Sequence, residues 1–517
     1  MDTKFISMFF AFPAFAGTSL FLIVSYIVAV AFYRLYLSPL AKFPGPWLAA
    51  VTSAYEGYYD CFKDGGGRFF VEINRLHDVY GPIVRINPWE LHIRDPEWSE
   101  VYKVTRRASK PKWYYRTLST KGSTLSSESG EMHRLRRDAV QSYFSAASVA
   151  RHQPQVEALV SQMCARLQAF KGKTQSVNIG DAFRAYATDV ATAFTFGRPF
   201  KHLAHPDFER VSSGAARNLG PIGMLNRQLR GALFLLVKSI PSKLATKFLS
   251  PDAMSIRNFH SQMRQAVDAE YTTGSHQSDK EGTERNITRV ILNSSLPPSE
   301  KEYHRVSNEC SSVTSAGTET VGSFLSVTTF LLLENQPKLA RLREELSAIE
   351  TRLGRQPDYR ELRELPYLNG VMNEGFRLNA GVSGRLPRYD PKQDMQYGEW
   401  RIPKGTIVST TQNDTNFSPA IFPDPHAFLP ERWLAARDRK RLAKYLNNFG
   451  RGSRSCLGME VAYLEIYLAI GRLFAPSAGF MVEVSSSETE FGRDVEMFHD
   501  YFAPFPRGKG GVRVLVK

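Results

Sequence analysis

The hydrophobic pattern of the chain changes character once, near its start. From Phe5 to Tyr33 no charged residue occurs, and the most apolar part runs from Gly17 to Tyr33. That is close to the ~20 residues that cross a hydrocarbon core as a helix. Further on, apolar positions recur at helical spacing around Gln155–Phe170, Gln336–Leu353 and Glu460–Phe474; in the last, Val461, Leu464 and Leu468 share a face. A longer helix is predicted from about Glu300 to Glu334. Pro297-Pro298 bars helix upstream, and Ser299 with Glu302 reads as a capping box. Strand-like runs are short and few: Ile83–Ile86, Leu91–Ile93, Trp400–Ile402, Thr406–Thr410 and Val512–Val516. The pattern predicts a mainly α domain with small β-sheets. Tyr271–Glu284, rich in Gly, Ser and charge, reads as a flexible loop.

The apolar N-terminal stretch is longer than the apolar region of a signal peptide. Its flank is poor in positive charge, since Lys4 is offset by Asp2. A single membrane anchor over residues 1–36 is therefore expected, with Tyr26 and Tyr33 at or near an interface. Arg34 and Lys42 place the downstream side in the cytosol. Residues 37–50 contain Pro39, Pro44 and Pro46, a density that resists helix and strand and reads either as a stiff hinge or as merely a loop. Residues 51–517 show no low-complexity boundary and no repeat, and read as one domain.

Composition narrows the picture further. The chain has 517 residues, 43% hydrophobic and 23% charged, so a large core is available and disorder is not expected. The formal charge of +15 suits an anionic surface or an acidic partner. No nucleic-acid module accompanies it. Cys61, Cys164, Cys310 and Cys456 are scattered and form no CxxC pair, which argues against a disulfide framework or a zinc site. Asn-x-Ser/Thr sequons at Asn286, Asn293, Asn413 and Asn416 read as chance in a cytosolic domain.

The chemistry concentrates around Cys456, in Phe449-Gly450-Arg451-Gly452-Ser453-Arg454-Ser455-Cys456-Leu457-Gly458. A lone cysteine is ordinarily a small hydrophobe. Here Gly452 and Gly458 permit a tight turn and close approach to a flat cofactor. Arg454 offers a fork to a carboxylate. A helix beginning near Met459 would point its positive end at the sulfur and favour a thiolate. The spacing Phe-x-x-Gly-x-Arg-x-Cys-x-Gly resembles the haem-binding loop of the cytochrome P-450 family. The resemblance implies that Cys456 is the axial ligand of haem b (iron-protoporphyrin IX), whose thiolate favours O–O cleavage. It also implies that Phe449, Gly452, Arg454 and Gly458 shape the cofactor site.

Other segments extend the resemblance in family order. Ala316-Gly317-Thr318-Glu319-Thr320 lies inside the predicted long helix, where a glycine and two threonines weaken the helix they sit in. Gly317 would leave room for a ligand; the plainer reading is a small-residue packing face. The stretch is similar to the family's oxygen-activating segment, which implies that Glu319 and Thr320 organise water and supply protons. The next position is Val321, where the family has Thr or Ser. Glu374 and Arg377 share a helix face, and most such pairs are solvated. The resemblance instead implies a buried Glu-x-x-Arg pair completed by Arg432 of Pro430-Glu431-Arg432-Trp433. It also makes His133 and Arg137 candidate propionate partners, with His in place of the commoner Trp. Arg388 is a third candidate, with Arg385 as its rival.

Pocket segments implied by the same resemblance are Lys110–Ser127, Asn218–Leu236, the helix before Ala316, Ala380–Arg385 and Phe498–Phe502. They are largely apolar, which suits a greasy substrate held by shape. Gly231–Val237, flanked by Arg230 and Lys238, reads either as a membrane-dipping segment or as a core helix. The chain looks most like fungal microsomal members of secondary metabolism, similar to the trichodiene-oxygenase-like group. The expectation is a monooxygenase of the endoplasmic reticulum acting on a terpenoid, using O2. Electrons would come from NADPH through a separate reductase, with cytochrome b5 as a further donor, because no flavin or dinucleotide fingerprint is present. A polyketide- or alkaloid-oxidising member is an alternative. So are a reductase-independent isomerase or dehydratase and a membrane haem sensor, although retention of Glu319 and Thr320 argues against those two.

Overall fold

The computed structural model describes residues 3–115, 120–209, 217–241, 250–272 and 286–517. The apolar N-terminus forms a helix, Thr3–Phe32, extended by a wider turn over Tyr33–Leu37. Thr18–Leu37 has a mean hydropathy of 2.0 and none of its apolar window is buried, so it is long and apolar enough to cross a membrane. Its end is tied to the body. Arg34 Nη1 donates to Val51 O at 2.6 Å, and Arg34 O accepts from Arg85 Nη1 at 2.8 Å. The proline-rich stretch between them lacks regular structure except at its end, where Trp47–Val51 is helical.

The body is built around the helix Tyr303–Leu333. It passes the same apolar test as a membrane span, but over half of its window is buried and it serves as the core. The helix Ile179–Phe196 lies against it over its length, with the helices Gln153–Gln168 and Met459–Phe474 completing the main core. Small residues let the two central helices approach: a Cβ on Gly322 would lie 2.6 Å from Arg184 Cγ. The helix starts later than the capping-box reading predicts. Pro298–Glu300 forms a 3-10 turn, and Glu302 takes the N-cap position without a side-chain cap. In that turn the Glu300 carboxylate forms ion pairs with Arg136, at 2.7 Å, and Arg305, at 3.2 Å.

The sheets are small, as the sequence predicts. Ile83–Asn87 and Glu90–Ile93 form an antiparallel hairpin, and Ile407–Ser409 adds in parallel to its second strand. Arg513–Val516 lies between Val177–Asn178 and Val482–Val484. Met395–Tyr397 pairs with Trp400–Ile402, and His499–Asp500 with Pro504–Phe505. Tyr271 and Thr272 end the helix Pro251–Thr272; the rest of the loop predicted over Tyr271–Glu284 lies outside the described residues. The four cysteines are free thiols. Of the sequon asparagines, Asn286 and Asn416 are buried, and Asn286 caps a helix by accepting from Arg289 N.

Candidate functional site

The Cys456 loop is held at three points. Cys456 N donates to Phe449 O at 2.6 Å, which closes the loop. Gly452 has φ +72, and a Cβ there would collide with Tyr102 O, so only glycine fits this turn. Arg137 Nη1 donates to Ser455 O at 2.6 Å, tying the loop to the helix Gly130–Val140. The next helix, Met459–Phe474, begins immediately after Gly458. Crowding by protein pushes the Cys456 thiol up, while the Gly458 N–H and the Arg137 charge pull it down. Cys456 is nevertheless exposed, so its sulfur borders open space within surrounding protein. Gly458 has an ordinary negative φ, and a Cβ there would meet nothing within 4 Å. Its value is therefore clearance rather than turn geometry.

Beside this loop sits a group of buried cations. Lys110, Arg388 and Arg454 converge with His133. Burial and then the Arg388 and Arg454 charges hold Lys110 well below its usual range. Burial and then Arg388 lower Arg454 to about 9. Burial followed by Arg454, Lys110, Arg137 and Arg388 pushes His133 down to about 2, so its ring is neutral. Arg454 donates to Ser127 O and Glu128 O, yet its Nε has no partner. Arg388 donates to the Tyr115 hydroxyl and to Pro387 O. Among the described residues, none of Lys110, Arg388 and Arg454 forms an ion pair. Buried charge without a counter-ion is costly, so this cluster is built for an anion with more than one carboxylate. A haem's propionates fit it, and Cys456 fits its iron.

Arg385, the rival of Arg388, is committed elsewhere. It pairs with Glu56 and Glu90, each at 2.7 Å. The sequence places Lys110 and Tyr115 only within the pocket segment Lys110–Ser127 and not at the cation cluster, because Ser109-Lys110-Pro111 carries no motif.

Beneath the loop, Glu374 and Arg377 are fully buried and paired at 2.8 Å. Glu374 also accepts from Arg432 Nε at 3.1 Å, Trp433 Nε1 at 2.8 Å and Leu429 N at 3.0 Å. Arg377 donates in addition to Asn416 O, Pro425 O and Ala427 O. Phe449 meets Phe376 of the same helix edge-on, with ring centroids 5.2 Å apart.

On the central helix the predicted pair divides. Thr320 Oγ1 donates to Ala316 O at 2.8 Å, and Thr320 abuts Gly381, where a Cβ would lie 3.8 Å from the Thr320 Cβ. Ala316 and Thr320 share the helix face that is not covered by Ile179–Phe196. Glu319 is instead gripped by Arg184, with Nη2 to Oε1 at 2.8 Å and Nε to Oε2 at 3.1 Å. Arg184 lines a cavity of about 930 Å3 with Asn178, Ser323, Ser326 and Ala380; no residue of the Cys456 loop borders it. Gly317 does not clear space for a ligand. A Cβ there would meet Ala191 Cβ at 3.2 Å, so its smallness serves helix packing.

Comparison with known proteins agrees with this site. The family model for cytochrome P-450 matches residues 61–487. A cytochrome P-450 monooxygenase of Ascocoryne sarcoides (MO6277) is 36% identical over 508 residues, covering 95% of this chain and 96% of that protein. The monooxygenase sdnE of Sordaria araneosa is 35% identical, covering 96% of each chain. The monooxygenase TRI4 of Fusarium sporotrichioides is 32% identical, covering 94% of this chain and 92% of its own. With the family model matched over residues 61–487 and similarity to fungal monooxygenases over 95% of its length, the chain belongs to the cytochrome P-450 family.

Proposed function

We propose that the chain is a monooxygenase anchored in the endoplasmic reticulum. It draws electrons from NADPH through a separate reductase and places one oxygen atom from O2 into an apolar secondary metabolite, a terpenoid. The observation that supports this reading is that Thr320 stands on the uncovered face of the central helix, with Glu319 next to it in the chain and held by Arg184. A haem enzyme with no oxygen to activate can dispense with such an acid–alcohol pair. Haem, when bound, supplies the redox chemistry. Cys456 would hold its iron, and Lys110, Arg388 and Arg454 would hold its carboxylates. Thr320 keeps a proton at Oγ1 next to the open face, and exchange of its Ala316 bond for water frees that proton. Glu319 is the reserve acid behind it, and Arg184 holds its carboxylate away from the substrate. Residues 1–36 act as the anchor and 37–50 as the hinge of the catalytic domain 51–517. Leu235 and Leu236 are exposed on the helix Ala232–Ser239, as are Trp47 and Phe62 nearer the anchor. The exposure of Leu235 and Leu236 favours membrane contact over a core role for that helix.

Oxygen-isotope incorporation tests the function. Membranes containing the chain and a fungal reductase, supplied with NADPH, heavy dioxygen and terpene and polyketide precursors, are expected to give a product carrying one heavy oxygen atom. Turnover without label or without NADPH would instead establish an isomerase or dehydratase.

The reductase reading rests on charge. The helix Ala436–Ala443 exposes Arg437, Arg439, Lys440 and Arg441, and Arg451 Nη2 ties its end to the Cys456 loop through Lys444 O at 2.9 Å. Docking of an acidic reductase there makes the rate of haem reduction fall as salt rises. A rate independent of ionic strength, measured by stopped flow, rules that docking face out.

A further inference from the structure

The segments around the substrate space are mostly apolar; of the carboxyls that interrupt them, Glu309 is paired with Arg305 at 2.9 Å, whereas Asp500 is not so paired among the described residues. Asp500 sits in the hairpin His499–Asp500 and Pro504–Phe505. Its Oδ1 accepts from Ser383 Oγ at 2.9 Å and from Phe502 N at 2.9 Å. Among the described residues nothing donates to its Oδ2, and Asp500 is half-buried rather than sealed. Burial raises this carboxyl, opposed by the Ser383 hydroxyl and the Arg227 charge. The guanidiniums nearest to it are already engaged: Arg227 pairs with Asp60, and Arg385 with Glu56 and Glu90. Asp500 thus has no ion pair of its own among the described residues.

Its position is fixed by contacts on two sides. Ser383 lies two residues from Gly381, which abuts Thr320. Ser383 N also donates to Phe502 O at 3.1 Å, and the Phe502 ring meets Tyr115 edge-on, with centroids 6.5 Å apart. Tyr115 in turn takes the Arg388 donor of the cation cluster. The Asp500–Phe502 turn therefore covers the region between the oxygen-activating threonine and the propionate-binding cations. Phe502 has φ +83, a left-handed conformation that a bulky residue adopts only when its surroundings impose it, and such strain gathers at ligand-contacting turns.

We propose that Asp500, oriented by Ser383, is the polar anchor of the substrate space. The substrate presents to its Oδ2 an O–H or N–H donor on an otherwise apolar skeleton. This rests on the monooxygenase reading and places the enzyme after a step that has already installed a hydroxyl or amine on the skeleton. An acceptor that a bound molecule cuts off from water without pairing is costly, so a site built around one rejects analogues that lack the donor. The rest of the wall contributes shape, and the anchor sets which carbon faces Thr320.

The test uses the full-length haem-loaded protein. A thiolate-type ferrous–carbon monoxide spectrum is recorded first, and its absence in the wild type overturns the functional reading rather than the anchor. Farnesene is then compared with farnesol and farnesylamine, and bisabolene with bisabolol, each titrated by the ligand-induced Soret shift. At least one donor-bearing probe is expected to bind ten- to a hundredfold tighter than its hydrocarbon, on the order of one hydrogen bond to a charged group. Asp500→Asn is expected to reduce that preference to less than about threefold, with hydrocarbon affinity as the internal reference. Tighter farnesol identifies an alcohol, and tighter farnesylamine an amine. Equal affinity across every pair, or no shift with any donor, overturns the anchor from the wild type alone. A preference that survives Asp500→Asn also overturns it.

Discussion

Glu374→Ala and Arg377→Ala are each expected to yield protein that contains almost no haem. Glu374 is fully buried and accepts from Arg377, Arg432, Trp433 and Leu429 N, so every donor around it is organised by one carboxylate. Removing it strands the Arg377 and Arg432 charges, at a cost of roughly 3–5 kcal/mol. That is a large part of the ~5–15 kcal/mol that holds a typical domain together. Arg377→Ala fails by a different route, because three backbone carbonyls, of Asn416, Pro425 and Ala427, lose their donor. These carbonyls fix the segment leading to Arg432 and onward to the Cys456 loop. The same helix also steadies that loop directly: Asn448 donates to Phe376 O, and to Asn379 O at 3.2 Å. Glu374→Gln is no remedy, since an amide NH2 would face Trp433 or an arginine donor. The check is the ratio of haem to protein in purified material. Normal haem content in either alanine variant would refute a supporting role for the pair.

The parts of the site that were legible in the sequence are those written in one short segment. The Cys456 loop, the Glu374–Arg377 spacing and the central helix each carry their geometry in the order of neighbouring residues. The parts that escaped are joined by folding alone. Arg184 meets Glu319 across 135 positions, and Arg385 meets Glu56 across 329. No periodicity announces either partner. The cation cluster is similar: His133 and Arg388 could be suggested by motif, whereas Lys110 acquires meaning only when Arg388 and Arg454 close around it. Gly317 shows the opposite failure. A small residue in a weakened helix fits ligand clearance and helix packing equally well on paper, and the contact with Ala191 decides for packing. Among the strands, Trp400–Ile402 was readable from its own composition, but two-residue pieces such as His499–Asp500 exist only through their partners. That hairpin carries Asp500, and its lack of an ion pair among the described residues cannot be read from the sequence.

Cys456→Ser is expected to separate haem binding from haem-thiolate chemistry. Serine preserves the volume and leaves the Phe449 O bond to the residue-456 N–H, the Gly452 turn and the Arg137 tie to Ser455 O unchanged. Lys110, Arg388 and Arg454 still demand carboxylates, so haem is retained in part, unlike in the Glu374→Ala protein. What disappears is the ionisable ligand, because a hydroxyl does not become an alkoxide at neutral pH as a thiol becomes a thiolate when it binds a metal. The thiolate-type ferrous–carbon monoxide band should vanish, and product formation should fall by at least about a hundredfold, the scale of a lost essential group. The other thiols cannot substitute. Burial pushes Cys61 up to about 11 and Cys164 and Cys310 up to about 12, and Cys310 is buried against the Thr288 hydroxyl. Cys456 alone combines exposure with a helix-start N–H and a nearby guanidinium. Alanine at each of the three other cysteines should leave the band intact. A thiolate band that persists in Cys456→Ser, or one that is lost only on replacing another cysteine, would move the ligand assignment away from this loop.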